Sequence, residues 1–155
     1  MSEVALTARQ KVEALEDELA KLPQVELATR HYFAPGMYAR ELTIPAGVTL
    51  TGAVHKTEHL SVISAGRILV ESGDGPVEIC APYTFVSQPG AKRAGFAIEA
   101  TVWTTFHPTT TTDLDALCEE LTESTSAELL GGPRSKQVLF QKQEALKCLG
   151  QQQHQ

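Results

Sequence analysis

The chain reads as a mainly β protein, a single antiparallel β-barrel or sandwich with one helix before it and helices after it. Three observations predict this. Between about Val25 and His107, short β-branched and aromatic runs alternate with turn residues: MYARELTI, PAGVTLTGAV, LSVISAGRILVES, GDGPVEICAPYTFVSQPG and FAIEATVWTTF. Such spacing is that of strands following one another closely. GDG between two of the runs marks a hairpin, and no helical stretch separates them, so the βαβ rhythm of a parallel sheet is missing. On either side of this window the apolar period is helical.

At the N-terminus, Val4, Ala8, Val12, Leu15, Leu19 and Leu22 recur at spacings of three and four. They line one face of an amphipathic helix within residues 1–22, which Pro23 stops. The period also suits a short coiled-coil seam between subunits. The barrel occupies residues 23–111. In TTTTDLDALCEELTE, Thr112 is placed to cap a helix over 112–130, with Asp115 three residues on and Leu114, Leu117 and Leu121 as its apolar face. Gly131, Gly132 and Pro133 then form a hinge before SKQVLFQKQEALKCLG. There Val138, Leu139, Ala145, Leu146 and Leu149 allow a last helix, and QQQHQ is a Gln-rich tail, so hinge, helix and tail make up 131–155.

Bulk composition removes several function classes. A chain of 155 residues with 42% hydrophobic and 21% charged residues supports one well-buried core. Its formal net charge of -6, with Lys and Arg scattered, argues against a nucleic-acid surface, which needs clustered cations to displace counterions. No apolar run is long enough to span a membrane, and the acidic start MSEVALTARQKVEALEDEL lacks the basic end and apolar block of a signal peptide. Cys80, Cys118 and Cys148 form no CxxC pair and cannot close a disulfide framework, which fits a reducing, cytoplasmic location. Cys80, among strand residues, reads as a buried hydrophobe. No P-loop or GxGxxG occurs, so no nucleotide cofactor is expected.

The chemistry concentrates in TGAVHKTEHLSVISAG, residues 51–66. Here His55 and His59 stand four residues apart with Glu58 between them. If the chain is extended on both sides of a tight turn at residues 56–58, both imidazoles face the barrel interior and suit one transition metal ion, Zn, Fe, Ni or Mn. A third ligand is then needed. Glu58 is the nearest candidate and would complete a two-histidine, one-carboxylate site, provided the turn breaks strand alternation. His107 is next, at the end of TVWTTFH. HKTEH also matches the inverted zincin pattern H-x-x-E-H, but that needs a helix, and Val54, Thr57, Val62 and Ile63 favour strand. Against all of these stands a pair of half-buried histidines satisfied by hydrogen bonds, with no metal.

The same stretch resembles the first signature of the cupin superfamily. His55 falls on its second histidine, His59 where the family has glutamate, Ala53 on its first histidine, and Gly66 on its closing glycine. APYTFVSQPGAKRAGF is similar to the second signature: Pro89 and Gly90 fit the turn, and Ala94 stands on the ligand histidine. This resemblance, over about residues 37–107, implies a cupin-type barrel or jelly roll. The wording of LPQVELATRHYFAPGMYARELTIPAG, HKTEHLSVISAGRI and TVWTTFHPT is in addition similar to small cupin-like accessory proteins of tailed phages, across about residues 22–115. That implies a viral protein acting in the cytoplasm of an infected bacterium, and it supplies no substrate.

Around such a pocket five residues are candidates for ligand contacts. Tyr38 and Arg40 share a strand face with Leu42 and Ile44, and an arginine on a mostly apolar face calls for a carboxylate or ligand partner. Trp103 shares a face with Thr105 and His107, and packing is the competing role for so large an aromatic. Lys92 and Arg93 follow the Pro89–Gly90 turn and suit an anionic ligand at the barrel mouth. Three function classes follow: a small-molecule-binding protein, a metal-dependent lyase, isomerase or dioxygenase, and an interaction protein gripping a host or virion component through its helical ends. The missing ligands at Ala53 and Ala94 favour the first. Sheet edges and the apolar stripe of the first helix point to a homo-oligomer, most simply a dimer.

Overall fold

Alternation along the strands builds the architecture. The computed structural model describes residues 4–72, 75–124 and 137–138. In chain order these form α1 (Ala8–Leu19), β1 (Gln24–Val25), β2 (Ala28–Ala34), β3 (Met37–Ile44), β4 (Thr49–Thr51), β5 (His59–Ala65), β6 (Arg67–Glu71), β7 (Pro76–Cys80), β8 (Tyr83–Ser87), β9 (Ala94–Ala97), β10 (Thr101–Pro108), α2 (Leu114–Leu121) and β11 (Gln137–Val138). One antiparallel sheet has the order β2-β3-β10-β5-β8 and a second the order β4-β9-β6-β7. Ile44 from the first packs with Val48, Leu50, Ile68, Val70 and Ala97 from around the second. The chain is therefore the mainly β, two-sheet antiparallel structure expected from its sequence, with helices at both ends.

Gly66 makes the tight link from β5 to β6. Its φ of 89° is open to glycine, and a Cβ there would run into the Ala100 carbonyl and the Thr101 Cα. The first helix opens on a capping box, in which the Thr7 side chain accepts from the Gln10 N–H and the Gln10 side chain accepts from the Thr7 N–H. Val12 and Leu19 are its buried residues. None of the helices among the described residues is long and apolar enough to cross a membrane.

Several expectations require correction. Val4 lies before α1 and is 90% exposed, because the helix begins only where Thr7 caps it. The cap of α2 is Asp113 and not Thr112: its carboxylate accepts from the Asp115 and Ala116 N–H groups. The same helix ends at Leu121, well short of residue 130, where Thr122 turns extended and bridges to His55. Cys80 is exposed on the outer strand β7, since strand alternation turns it away from the core. Gln137 and Val138, assigned to a last helix, instead pair antiparallel with Val25 and Gln24. The remainder of that helix, the hinge at residues 131–133 and the Gln-rich tail lie outside the described residues.

Candidate metal centre

Strand register brings the candidate residues to one end of the sandwich. Antiparallel pairing sets Tyr38 opposite His107, Arg40 opposite Thr105 and Leu42 opposite Trp103 between β3 and β10. On the other side of β10, Phe106 pairs with Leu60. Alternation then puts His107 beside His59 on the inner face, with ring centroids 4.6 Å apart. His55 arrives from a different direction. Its backbone is pinned on one side by the bridge to Thr122 and on the other by Gly90, whose N–H donates to the His55 carbonyl at 2.9 Å. The His55 ring lies 4.3 Å from His59 and 5.1 Å from His107.

The three imidazoles each offer a nitrogen, and these nitrogens lie within 4.8 Å of one another. Their protonation favours metal binding. Burial first, then the neighbouring His59 and His107 and the cations Arg40 and Arg93, lower His55 to about 3. Burial, followed by His59 and Arg40, lowers His107 to about 4. His59 is also lowered by burial, with the Thr57 carbonyl opposing the shift. All three rings are thus neutral at pH 7 with lone pairs available.

A hydrogen bond outside the triad fixes which nitrogen of His59 is free, and another anchors the His107 ring. His59 Nδ1–H donates to the Thr57 carbonyl at 3.1 Å, which leaves Nε2 as the unprotonated atom. His107 Nε2 is 2.9 Å from Thr105 Oγ1, and its buried Nδ1 has no hydrogen-bond partner. An imidazole held by one nitrogen with the other left bare is the arrangement a ligating histidine shows. Tyr38 stacks on His107 with centroids 6.0 Å apart, and its hydroxyl shares a 2.6 Å hydrogen bond with His31 Nδ1. Burial pushes that phenol up to about 12.

A cavity of about 160 Å³ opens over the triad. Tyr38, Arg40, Arg93 and Trp103, all candidates from sequence, line it, as do Ala53 and Ala94. The helix α2 supplies one wall through Leu114, Leu117, Cys118 and Leu121, with Leu117 and Leu121 packed on Tyr38. Two sequence candidates stand elsewhere. Glu58 is exposed and outside the histidine group, because strand alternation at the start of β5 points it away from His59. Lys92 is buried against α1, donating to Glu16 Oε2 at 2.7 Å and to the Gly52 carbonyl at 2.8 Å. The zincin alternative fails on backbone grounds, since His55 sits in an isolated bridge and His59 begins β5.

Sequence reasoning missed the wall made by α2 and the backing of the histidines by Thr57 and Thr105. It ranked His107 behind Glu58. The period-two relation of His107 to Trp103 and Thr105 was the available signal, and the β5–β10 neighbourhood was the missing fact.

No protein-family model and no curated protein sequence matches the chain. Among solved structures it is similar to a cupin-2 domain-containing protein from Shewanella frigidimarina, at 12% identity and a TM-score of 0.46, over 61% of this chain and 92% of that one. It is similar also to KdgF from Halomonas sp., at 15% identity and a TM-score of 0.47, over 54% of this chain and 82% of that one. A third likeness is to an acetylacetone dioxygenase from Acinetobacter johnsonii, at 15% identity and a TM-score of 0.46, over 54% and 60% of the two chains. At these identities and scores they carry no inference about ligand or reaction.

Proposed function

We propose that the chain is a small-molecule-binding protein of cupin type whose cavity holds one transition metal ion, Zn, Fe, Ni or Mn, on His55, His59 and His107. The observation that carries this is the convergence of three neutral imidazoles, two from the stretch that enters β5 and one from the end of β10, at one cavity. The donor set fits the ion: imidazole suits Zn, Fe and Ni, and the buried His107 Nδ1 has no hydrogen-bond partner among the described residues. Three protein ligands leave coordination positions for a small molecule.

The residues have separable parts in this reading. His55, His59 and His107 hold the ion, Thr57 fixes the tautomer of His59, Thr105 anchors the His107 ring through its Nε2, and α2 supplies an apolar wall to the space above. The ion, when bound, supplies a Lewis acid to an oxygen of the small molecule. The three-imidazole set also favours a second reading, a metal-dependent enzyme of the lyase, isomerase or dioxygenase classes, since open positions on an ion are what such catalysis uses. The sequence resemblance supports an accessory protein of a tailed phage at work in the bacterial cytoplasm; the sheet edges and the apolar stripe of α1 support a homo-oligomer, and the helical ends a host or virion protein as a further partner.

The test is elemental analysis of full-length protein freed of any polyhistidine tag. Near-stoichiometric transition metal is expected. It should be lost in His55→Ala, His59→Ala and His107→Ala and retained in Glu58→Gln. Folded protein that takes up none of the four metals removes the metal from this reading.

A further inference from the structure

Among the described residues, the cavity carries positive charge with no counter-charge. Of its lining residues, Arg40 and Arg93 are cations, and none is Asp or Glu. Neither guanidinium forms an ion pair among the described residues. This occurs on a chain with an excess of acidic side chains. An exposed pair of arginines would mean little, but Arg40 is on the inner face of a central strand, opposite Thr105, and its Nε is buried without a hydrogen-bond partner. The titratable groups that act on it from the surrounding elements are Tyr38 and Cys118. Burial raises both, so both are neutral at pH 7. A buried guanidinium left in this state costs several kcal/mol unless something anionic joins it.

Arg93 approaches the same histidines from the other sheet. Arg40 and Arg93 line the same cavity as the three histidines, and both arginines lower His55, Arg40 also His107, and Arg93 also His59. Arg93 is held by an Nη1 hydrogen bond to Ser87 Oγ at 3.3 Å and by the Phe85 ring, 5.6 Å from its guanidinium carbon. The Phe85 contact occupies a face of the guanidinium and leaves its in-plane N–H groups available. Trp103 adds another buried donor, Nε1, that has no partner. Guanidinium and indole groups donate and never accept. What the cavity lacks is therefore an acceptor that is also negative, and it is smaller than a site for a drug-sized ligand.

We infer that the cavity takes a small carboxylic acid in its anionic form, with a carboxylate paired to the Arg40 guanidinium and Arg93 supplying the second positive charge beside the histidines. Carboxylate is the group that matches the planar fork of arginine with two parallel hydrogen bonds. This rests on the small-molecule-binding reading and names the ligand's chemical class. It does not need the metal.

Calorimetric titration of the full-length protein with succinate and with its neutral isostere succinamide tests it, on metal-stripped and on Zn²⁺-loaded samples. Succinate is expected to bind the stripped protein at least about tenfold more tightly than succinamide. Arg40→Met should reduce succinate to the level of succinamide, and Arg93→Gln should weaken it several-fold. If Arg40→Met does not fold, the two ligands on the unmutated protein and the Arg93→Gln variant still decide. No succinate binding, equal affinity for the two ligands, or an unchanged affinity in a folded Arg40→Met variant would overturn the assignment. Uptake of Zn²⁺ is read separately, so succinate binding without Zn²⁺ uptake removes the metal and keeps the anion site, and the reverse removes the anion site alone.

Discussion

The same two strands run through both ends of the sandwich, and the ends differ in kind. Along the inner face of β3 the order is Tyr38, Arg40, Leu42, Ile44, and along β10 it is Thr101, Trp103, Thr105, His107. Where Ile44 and Thr101 pair, the interior is apolar, closed by Val48, Ile68 and Ala97, all fully buried. Where Tyr38 and His107 pair, it holds three histidines and an unpaired arginine around a cavity. One end is an ordinary apolar core of interlocking aliphatic side chains. The other keeps buried polar atoms unsatisfied, a cost that folding alone would not retain. On the function proposed above, the closed end supports stability and the open end binding, and substitutions should sort accordingly.

The largest effects are expected at the closed end. Ile68→Ala removes a fully buried side chain and should cost about 2–5 kcal/mol in denaturant unfolding. Gly66→Ala should cost at least as much, because the residue must keep a φ of 89° while its Cβ meets the backbone of Ala100 and Thr101. Both should leave metal content per folded molecule unchanged. Loss of metal without loss of stability at either position would break the division.

The next effect belongs to the open end and depends on pH. His55 and His107 are lowered to about 3 and about 4 in the fold, while an unfolded histidine titrates near 6.5. Below about pH 6.5 the unfolded chain binds protons that the folded chain refuses, so metal-free protein should be fully stable above that value and lose stability as pH falls towards 3. The slope is at most about 1.4 kcal/mol per pH unit for each histidine. Unfolding free energy followed from pH 7.5 to 4 should show it, and His55→Gln should flatten the curve. A profile that is flat across this window would mean that the rings are solvated and that the cavity is open to water.

Two basic residues sharpen the contrast further. Lys92 bridges Glu16 and the Gly52 carbonyl, so Lys92→Met should destabilise the protein by roughly 1–3 kcal/mol and leave ligand and metal alone. Arg40→Met removes a buried charge with no ion-pair partner among the described residues, so in the absence of ligand it should be neutral or stabilise by about 1–2 kcal/mol. Opposite signs from two cations, read by thermal unfolding, are the expected result. A loss of similar size at both would show that Arg40 is a structural residue.

Legibility from sequence followed the range of the interactions. Strand periodicity and the stripe of α1 are local, and Val12 and Leu19 are buried as the pattern requires. His55 and His59 stood out because they share one short segment. His107 lies far along the chain, and only the sheet order β3-β10-β5 puts it beside His59. Glu58 looked nearer in sequence and is turned outward by the two-residue period of the strand it precedes. Lys92 and Arg93 were indistinguishable as adjacent cations on a loop. The docking of α1 gave one of them to Glu16 and left the other to the cavity, and docking is a tertiary event with no local signature. The wall formed by α2 was hidden for the same reason: its leucines read as an apolar face without saying what that face covers.

The smallest expected effect lies outside both ends. Arg9 on α1 bonds Glu13 at 2.9 Å and Glu123 at 2.8 Å, the second of these joining the first helix to the segment after α2. Its position invites the idea that it clamps the wall of the cavity. All three side chains are more than 40% exposed, however, and exposed ion pairs contribute little because water and salt screen them. That wall is held instead by apolar contact of Leu117 and Leu121 with Tyr38 and by the backbone bonds from the Lys56 N–H to the Leu121 carbonyl and from the Glu123 N–H to the Val54 carbonyl. Arg9→Ala should therefore leave the unfolding midpoint within experimental error of the parent at low and at high salt, and leave metal content and succinate affinity where they were. A loss of either would move the boundary of the open end outward to include α1.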